Sequence, residues 1–349
     1  MTASVTNSSI ITPDPTVLKL DNGTIIKLDS SKSSRGDFDS IPIIDLEKMY
    51  SDNYDDRLAL SKELFDACSN VGFFYAKNHG IPEDIVDNTF NWSKKFFHEQ
   101  TTDEKMKVFT GLLEDENYQG YHPFGKFTFD AGNRRQPDLM EAFNFTYERE
   151  QDPAQPPPSD DCVAFENIWP ENFPGFKENM FKYHAECLKI ARKLIRILAL
   201  SLGLEEDYFD KYVTYPAASM RILHYPVQEH SEDDQNGIGA HTDFEYSPCG
   251  KWIQAPPISG CLVVNIADCL MRMTNNTFVS TVHRVVNNSG DKRYSIPFFF
   301  GFNQSMMMDP IPTCVSEANP YRYKVKSIKE YLVFRAITSK KKKEKGYGY

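Results

Sequence analysis

The sequence predicts a mainly β catalytic core flanked by helices, and three observations carry that expectation. In the C-terminal half, His241-Thr242-Asp243, the Val/Thr-rich run from Phe278 to Val286 and the apolar run from Tyr294 to Phe302 have the alternation and residue types of strands. Earlier in the chain, Arg57 to Ser69, Glu83 to about His98 and Phe176 to Leu202 repeat apolar residues at helical spacing. With 40% apolar and 25% charged residues over 349 positions, the chain has the material for one large, well-buried domain.

Residues 1–38, rich in Ser, Thr, Asp and Asn, read as a mobile arm with one short hairpin around Asp21-Asn22-Gly23-Thr24. A single domain then spans 39–338, with an α/β part over 39–215 and a β core over 216–338. It opens on the strand Ile41-Pro42-Ile43-Ile44-Asp45-Leu46, followed by the first helix and a strand from Val71 that ends at the Gly80 turn. His79 precedes that glycine and is expected to hydrogen-bond its own turn. After the second helix, Thr101-Thr102-Asp103-Glu104 reads as a cap and first helical turn. Strands around Tyr121 and Phe143 follow, then a Pro-rich loop over 152–158 and the long helix from Phe176, expected on the outer face of the sheet. Ser219 to Pro226 is a strand leading to the site, 229–239 is an acidic entrance loop, and 327–335 is a closing helix. Residues 339–349, with Lys340 to Lys345, form a solvated basic tail.

A formal charge of −10 argues against nonspecific binding to nucleic acid. No run approaches the roughly 18–20 apolar residues that cross a bilayer, and the first residues do not form a secretion signal. Seven cysteines, an odd number without paired spacing, suit a reducing compartment. The expectation is a cytoplasmic monomer acting on a small molecule, with no nucleic-acid or membrane partner.

The chemistry concentrates between His241 and Ser295. In a strand, His241 and Asp243 point to the same side while Thr242 points away. His283, in its own alternating run, can supply a third ligand. Two histidines and one carboxylate on one face of an octahedron are the ligand set of non-haem Fe(II) oxygenases, with open positions for oxygen and a co-substrate. Arg293 and Ser295 again share a face, and an arginine fork with a hydroxyl suits a bidentate grip on a carboxylate.

Leu262-Val263-Val264-Asn265-Ile266-Ala267-Asp268, Thr274-Asn275-Asn276 and Ser280-Thr281-Val282-His283-Arg284-Val285 resemble the isopenicillin N synthase-like 2-oxoglutarate/Fe(II) dioxygenases, and the resemblance runs from Ile41 to about Arg335. It implies a double-stranded β-helix (jelly-roll) core. It further implies Fe(II) held by His241, Asp243 and His283, and 2-oxoglutarate held by Arg293, Ser295 and Tyr225. With O2, such a site oxidises a small organic substrate by hydroxylation, desaturation or ring closure, releasing succinate and CO2. In relatives, the strands corresponding to those of Tyr121 and Phe143 flank the substrate pocket, so these two are candidate substrate contacts; an ordinary aromatic core is the alternative.

The chain departs from the family's pattern after His241-Thr242-Asp243-Phe244-Glu245. It passes through Tyr246-Ser247-Pro248-Cys249 directly to Gly250-Lys251-Trp252-Ile253, where a strand pair of on the order of 12–16 residues is usual. The core is therefore expected to lack that pair. Two alternatives stay open: a shortened, catalytically impaired or non-catalytic member of the same fold, and an oxidase of that fold that does not use 2-oxoglutarate.

Overall fold

The computed structural model describes residues 40–109, 119–125, 138–160, 166–228, 237–241, 253–281, 283–285, 287 and 290–332, together with two short strands before them. Those strands, β1 (Val17–Lys19) and β2 (Ile25–Lys27), pair antiparallel and flank the expected Asn22-Gly23 turn. The tail after 332, the entrance loop over 229–236 and residues 242–252, where the strand pair was expected to be missing, lie outside the described residues.

The N-terminal part begins with β3 (Ile43–Asp45), α1 (Tyr54–Asn70) and β4 (Phe73–Lys77), with β3 and β4 parallel. Asn53 caps α1 by accepting a hydrogen bond from the Asp55 backbone N–H at 3.1 Å. At the end of β4 the turn uses Asn78 and Gly80 in the left-handed region, and His79 Nδ1 accepts from the Ile81 N–H at 3.1 Å, as expected for a histidine serving its own turn. Next come α2 (Glu83–Glu99) and α3 (Thr102–Lys107), the latter opened by a capping box between Thr101 and Glu104.

Strands β5 (Gly120–His122) and β6 (Glu141–Thr146) precede α4 (Phe176–Ser201). Then follow β7 (Pro216–Tyr225), β8 (Ile238–His241), β9 (Cys261–Asn265), α5 (Asp268–Met273), β10 (His283–Val285), β11 (Arg293–Ser295) and β12 (Phe298–Asn303). The central sheet has the order β11-β7-β6-β5, with β12 also pairing with β7; β8 and β10 form a two-stranded ribbon, and β9 joins β4 in the sheet β3-β4-β9.

The two faces of the central sheet have different partners. Phe143, Phe145, Met220 and Ile222 point outward and bury against Phe96, Phe176, Met180 and Phe181 of α2 and α4. Ala142, Leu223 and Tyr225 point inward and pack with Ile238 of β8 and Val285 of β10. Sheet against ribbon is the layered arrangement of a jelly roll.

Two strand expectations are corrected. The run from Tyr294 to Phe302 is two strands, because Pro297 has no N–H for the ladder; its carbonyl still accepts from the Arg221 N–H at 3.0 Å. Among the described residues, the run from Phe278 to Val286 is strand over His283–Val285 and not over 278–281, since Asn275 and Asn276 take positive φ and Val279 bonds the Cys68 carbonyl of α1 instead of a neighbouring strand. At the chain's end, 328–332 is helical, with Ser327 and Glu330 exchanging hydrogen bonds as a cap; 333–335 lie outside the described residues.

Candidate active site

His283 and His241 stand directly opposite each other in the backbone register of the β8–β10 ribbon. Asp243 lies outside the described residues, and among the described residues no three His, Cys, Asp or Glu side chains form a metal-binding group. The ladder slips by one position between His283 and Val285, a bulge of the kind that re-aims a side chain. His283 Nδ1 lies 3.1 Å from the Thr281 carbonyl. A carbonyl only accepts, so Nδ1 carries the proton and the ring lone pair sits on Nε2, the arrangement that metal-bound histidines use. Phe73 meets the same ring edge-on at 5.3 Å.

The residues expected to hold a carboxylate are on the inner face of β7 and β11. Arg293 stands across from Tyr225 and Ser295 across from Leu223, so all four share that face, as the spacing of Arg293 and Ser295 predicted. The Arg293 guanidinium lies 4.9 Å from the centroid of the Tyr225 ring, and the Tyr225 hydroxyl is 3.4 Å from Ser295 Oγ. Arg293 Nη1 is shielded from solvent and has no hydrogen-bond partner among the described residues. A donor left in this state costs free energy unless an acceptor arrives, so these residues fit a ligand carboxylate. Burial pushes the Tyr225 phenol above its ordinary range, more than its hydrogen bond with Ser295 and the charges of Arg293 and Arg221 pull it down. It therefore stays protonated at neutral pH and able to donate.

The structure corrects the placement of Tyr121 and Phe143. Both are on the outer face: Phe143 is fully buried among Phe96, Trp169 and Phe176, and the Tyr121 hydroxyl donates to Glu141 at 2.6 Å. With a two-residue period, the inward positions are their neighbours His122, Ala142 and Asn144. Arg221 shares that face, with Nη1 3.4 Å from His122 Nδ1 and Nη2 3.6 Å from Met140 Sδ. Arg221 could have been found from the sequence by counting back four positions from Tyr225 along one strand face. Asn287 was also missed; it braces the site by donating to the carbonyls of Pro226 at 2.8 Å and Asp291 at 3.0 Å.

Two family models match the chain: the N-terminal model of a non-haem dioxygenase in morphine synthesis over residues 41–172, and the 2OG-Fe(II) oxygenase superfamily over 216–302. The 2-oxoglutarate-Fe(II) type oxidoreductase ppzC of Metarhizium rileyi is 33% identical over 315 residues, covering 81% of this chain and 83% of that protein. The chain belongs to the 2OG-Fe(II) oxygenase superfamily. A homoarginine-6-hydroxylase of Glycine max is 30% identical over 335 residues, covering 87% of this oxygenase and 98% of the plant protein. The crystal structure of a full-length Neurospora crassa protein in complex with alpha-KG and thymine superposes with a TM-score of 0.72 at 28% identity, covering 86% of this chain and 97% of the fungal one. This oxygenase is thus an Fe(II)- and 2-oxoglutarate-dependent oxidoreductase that uses O2. No helix among the described residues is long and apolar enough to cross a membrane.

Proposed function

We propose that this oxygenase binds Fe(II) through His241, Asp243 and His283, seats the far carboxylate of 2-oxoglutarate on Arg293, Ser295 and Tyr225, and oxidises a small organic molecule by hydroxylation, desaturation or ring closure. The observation that carries the reading is the shielded Nη1 of Arg293, without a hydrogen-bond partner among the described residues and beside two hydroxyls, a set that an incoming carboxylate completes. Iron and 2-oxoglutarate, when bound, would supply the oxidative chemistry: two of the four oxidising equivalents of O2 go to convert 2-oxoglutarate to succinate and CO2, and the other two are left for a substrate C–H bond.

The chain's own residues supply placement. The Thr281 carbonyl fixes the His283 tautomer, and Asn287 ties the end of β7 to the turn before β11, holding the carboxylate seat at a set distance from the β8–β10 ribbon. Substrate contact is assigned to Arg221, with His122 and Asn144 beside it, because these share the inward face with Tyr225. Residues 39–215 are read as the supporting α/β part and 216–338 as the catalytic core, a division supported by the second family match beginning at 216. The direct passage from Glu245 to Gly250 is read as a shortened wall beside the metal.

The test is succinate formation from 2-oxoglutarate by iron-loaded protein under O2, with iron content measured in parallel. His283→Ala should lose both. Arg293→Leu should keep iron and raise the 2-oxoglutarate KM by roughly 10–100-fold, the scale of a lost charge-assisted hydrogen bond. Arg221→Ala should raise the KM for the organic substrate and leave that for 2-oxoglutarate alone. Full succinate release by the His283→Ala protein would sink the proposal, iron binding without turnover by the unaltered chain would favour a non-catalytic member, and O2 uptake without succinate would favour an oxidase.

A further inference from the structure

A buried polar network lies directly behind the carboxylate seat. On β7, His224 alternates with Tyr225, and on β11, Tyr294 lies between Arg293 and Ser295, so His224 and Tyr294 occupy the outer face at the same register. Glu141, 2% exposed, stands across from His224 on β6. Its carboxylate accepts from His224 Nδ1 at 2.8 Å, from the Tyr121 hydroxyl at 2.6 Å and from Lys105 Nζ at 2.9 Å, and Lys105 also donates to the Phe97 carbonyl at 3.2 Å. The His224 ring stacks on Tyr294 with centroids 5.1 Å apart and planes 19° apart, and the Tyr294 hydroxyl meets His98 Nε2.

Stability alone is a poor reason for this cluster. An ion pair taken out of water roughly repays its own desolvation, and apolar residues of the same volume hold a core at least as well. His224 Nε2 is moreover buried without a hydrogen-bond partner among the described residues, a cost that a free choice of residue would avoid. The cluster does fix one geometry. Strand β11 has only three residues, pairs among the described residues with β7 alone, and is cut off from β12 by Pro297, so its own ladder constrains it weakly. The stack on Tyr294 supplies lateral support, and the position of His224 is set in turn by Glu141.

We infer that Glu141 is a positioning residue for the co-substrate, acting through His224 and Tyr294 to hold Arg293 and Ser295 at the carboxylate. The inference rests on the proposed 2-oxoglutarate seat. Charge is the point of the test, so Glu141→Gln is the first variant: it keeps the size of the side chain and removes the anion. In iron-loaded full-length protein, the 2-oxoglutarate KM should rise about tenfold, the scale on which losing an outer-shell partner acts, with kcat changed less than about threefold and iron content unaltered. Tyr294→Ala should reproduce the effect, whereas Tyr294→Phe, which keeps the stacking ring, should restore a near-normal KM.

An unchanged KM in a folded Glu141→Gln protein overturns the inference, as does a fall in kcat at constant KM. If Glu141→Gln fails to fold, equal KM values for Tyr294→Ala and Tyr294→Phe overturn it. Arg293→Leu separates the two levels. An unaltered KM there removes the seat itself, whereas a raised KM there with a normal one in Glu141→Gln removes only the role of Glu141.

Discussion

The proposed carboxylate seat depends on a residue with no side chain. A Cβ added to Gly237 would lie 2.7 Å from Cδ1 and 3.0 Å from Cε1 of Tyr225, and 3.4 Å from Val285 Cγ1. The Tyr225 ring is buried and cannot swing aside into solvent, and its other constraint is the guanidinium of Arg293. Gly237→Ala should therefore displace the phenol rather than unfold the protein: the 2-oxoglutarate KM rises by roughly tenfold, equivalent to about 1.4 kcal/mol, while iron content stays normal. A titration of 2-oxoglutarate against succinate formation reads this directly, and an unaltered KM would mean that Tyr225 does not take part. At this scale much of the site was legible in the sequence. Arg293 and Ser295 share a face by a period of two, and the backbone register sets His241 across from His283, the pairing that the proposed iron site needs. For Tyr121 and Phe143 the sequence left pocket and core both open, for an equally physical reason, and they lie in the core. Aromatic residues suit both a pocket and a core, and only pairing with β7 reveals that their face is the one under α2 and α4.

Among the elements, the helices could be located to within a few residues because apolar spacing and caps mark both pattern and start; the Thr101–Glu104 box is an example. Strand ends could not. Pro297 breaks one run, and the left-handed Asn275 and Asn276 with the Val279 bond to α1 shorten another, and both effects depend on partners distant in sequence. The Pro-rich loop before α4 shows how such a partner acts. Asp152 receives both Nη groups of Arg192 on α4 at 2.7 Å, together with the Tyr147 hydroxyl and the Ala154 N–H. Burial alone would raise the Asp152 carboxyl, but those hydrogen bonds outweigh it and hold the group below its ordinary 3.8. A carboxylate depressed by folding contributes stability that is present above the unfolded value and lost as pH falls through the folded one. Asp152→Asn should cost roughly 3 kcal/mol at pH 7 by leaving a largely buried guanidinium unpaired. The variant should also show a melting temperature that falls less steeply below about pH 4 than that of the unaltered chain. Thermal melts across pH check both, and parallel curves would assign the acid sensitivity elsewhere.

For the molecule as a whole, the question is whether the N-terminal part and the catalytic core are two bodies or one. The backbone answers through a seam at the start of β4. Strand β9 of the core completes the β3-β4 sheet over five residue pairs, the Ile266 N–H donates to the Gly72 carbonyl at 2.9 Å, and the Val279 N–H to the Cys68 carbonyl at 2.9 Å. The Thr281 hydroxyl donates to the Val71 carbonyl at 2.6 Å, and the carbonyl of that same Thr281 orients His283. The strand carrying a proposed iron ligand is thus hung from the end of α1. Gly72 makes the approach possible: its φ is +75°, and an added Cβ would meet the Val279 carbonyl oxygen at 2.4 Å and Thr281 Oγ1 at 2.7 Å. Gly72→Ala incurs about 1–2 kcal/mol for the left-handed backbone and must also push the 279–281 segment away. Iron retention against a chelator should therefore fall together with the melting temperature, and both the altered and the unaltered chain should melt in one cooperative step. Two separable transitions, or a lowered melting temperature with iron retention intact, would show that the seam carries load without steering the metal site.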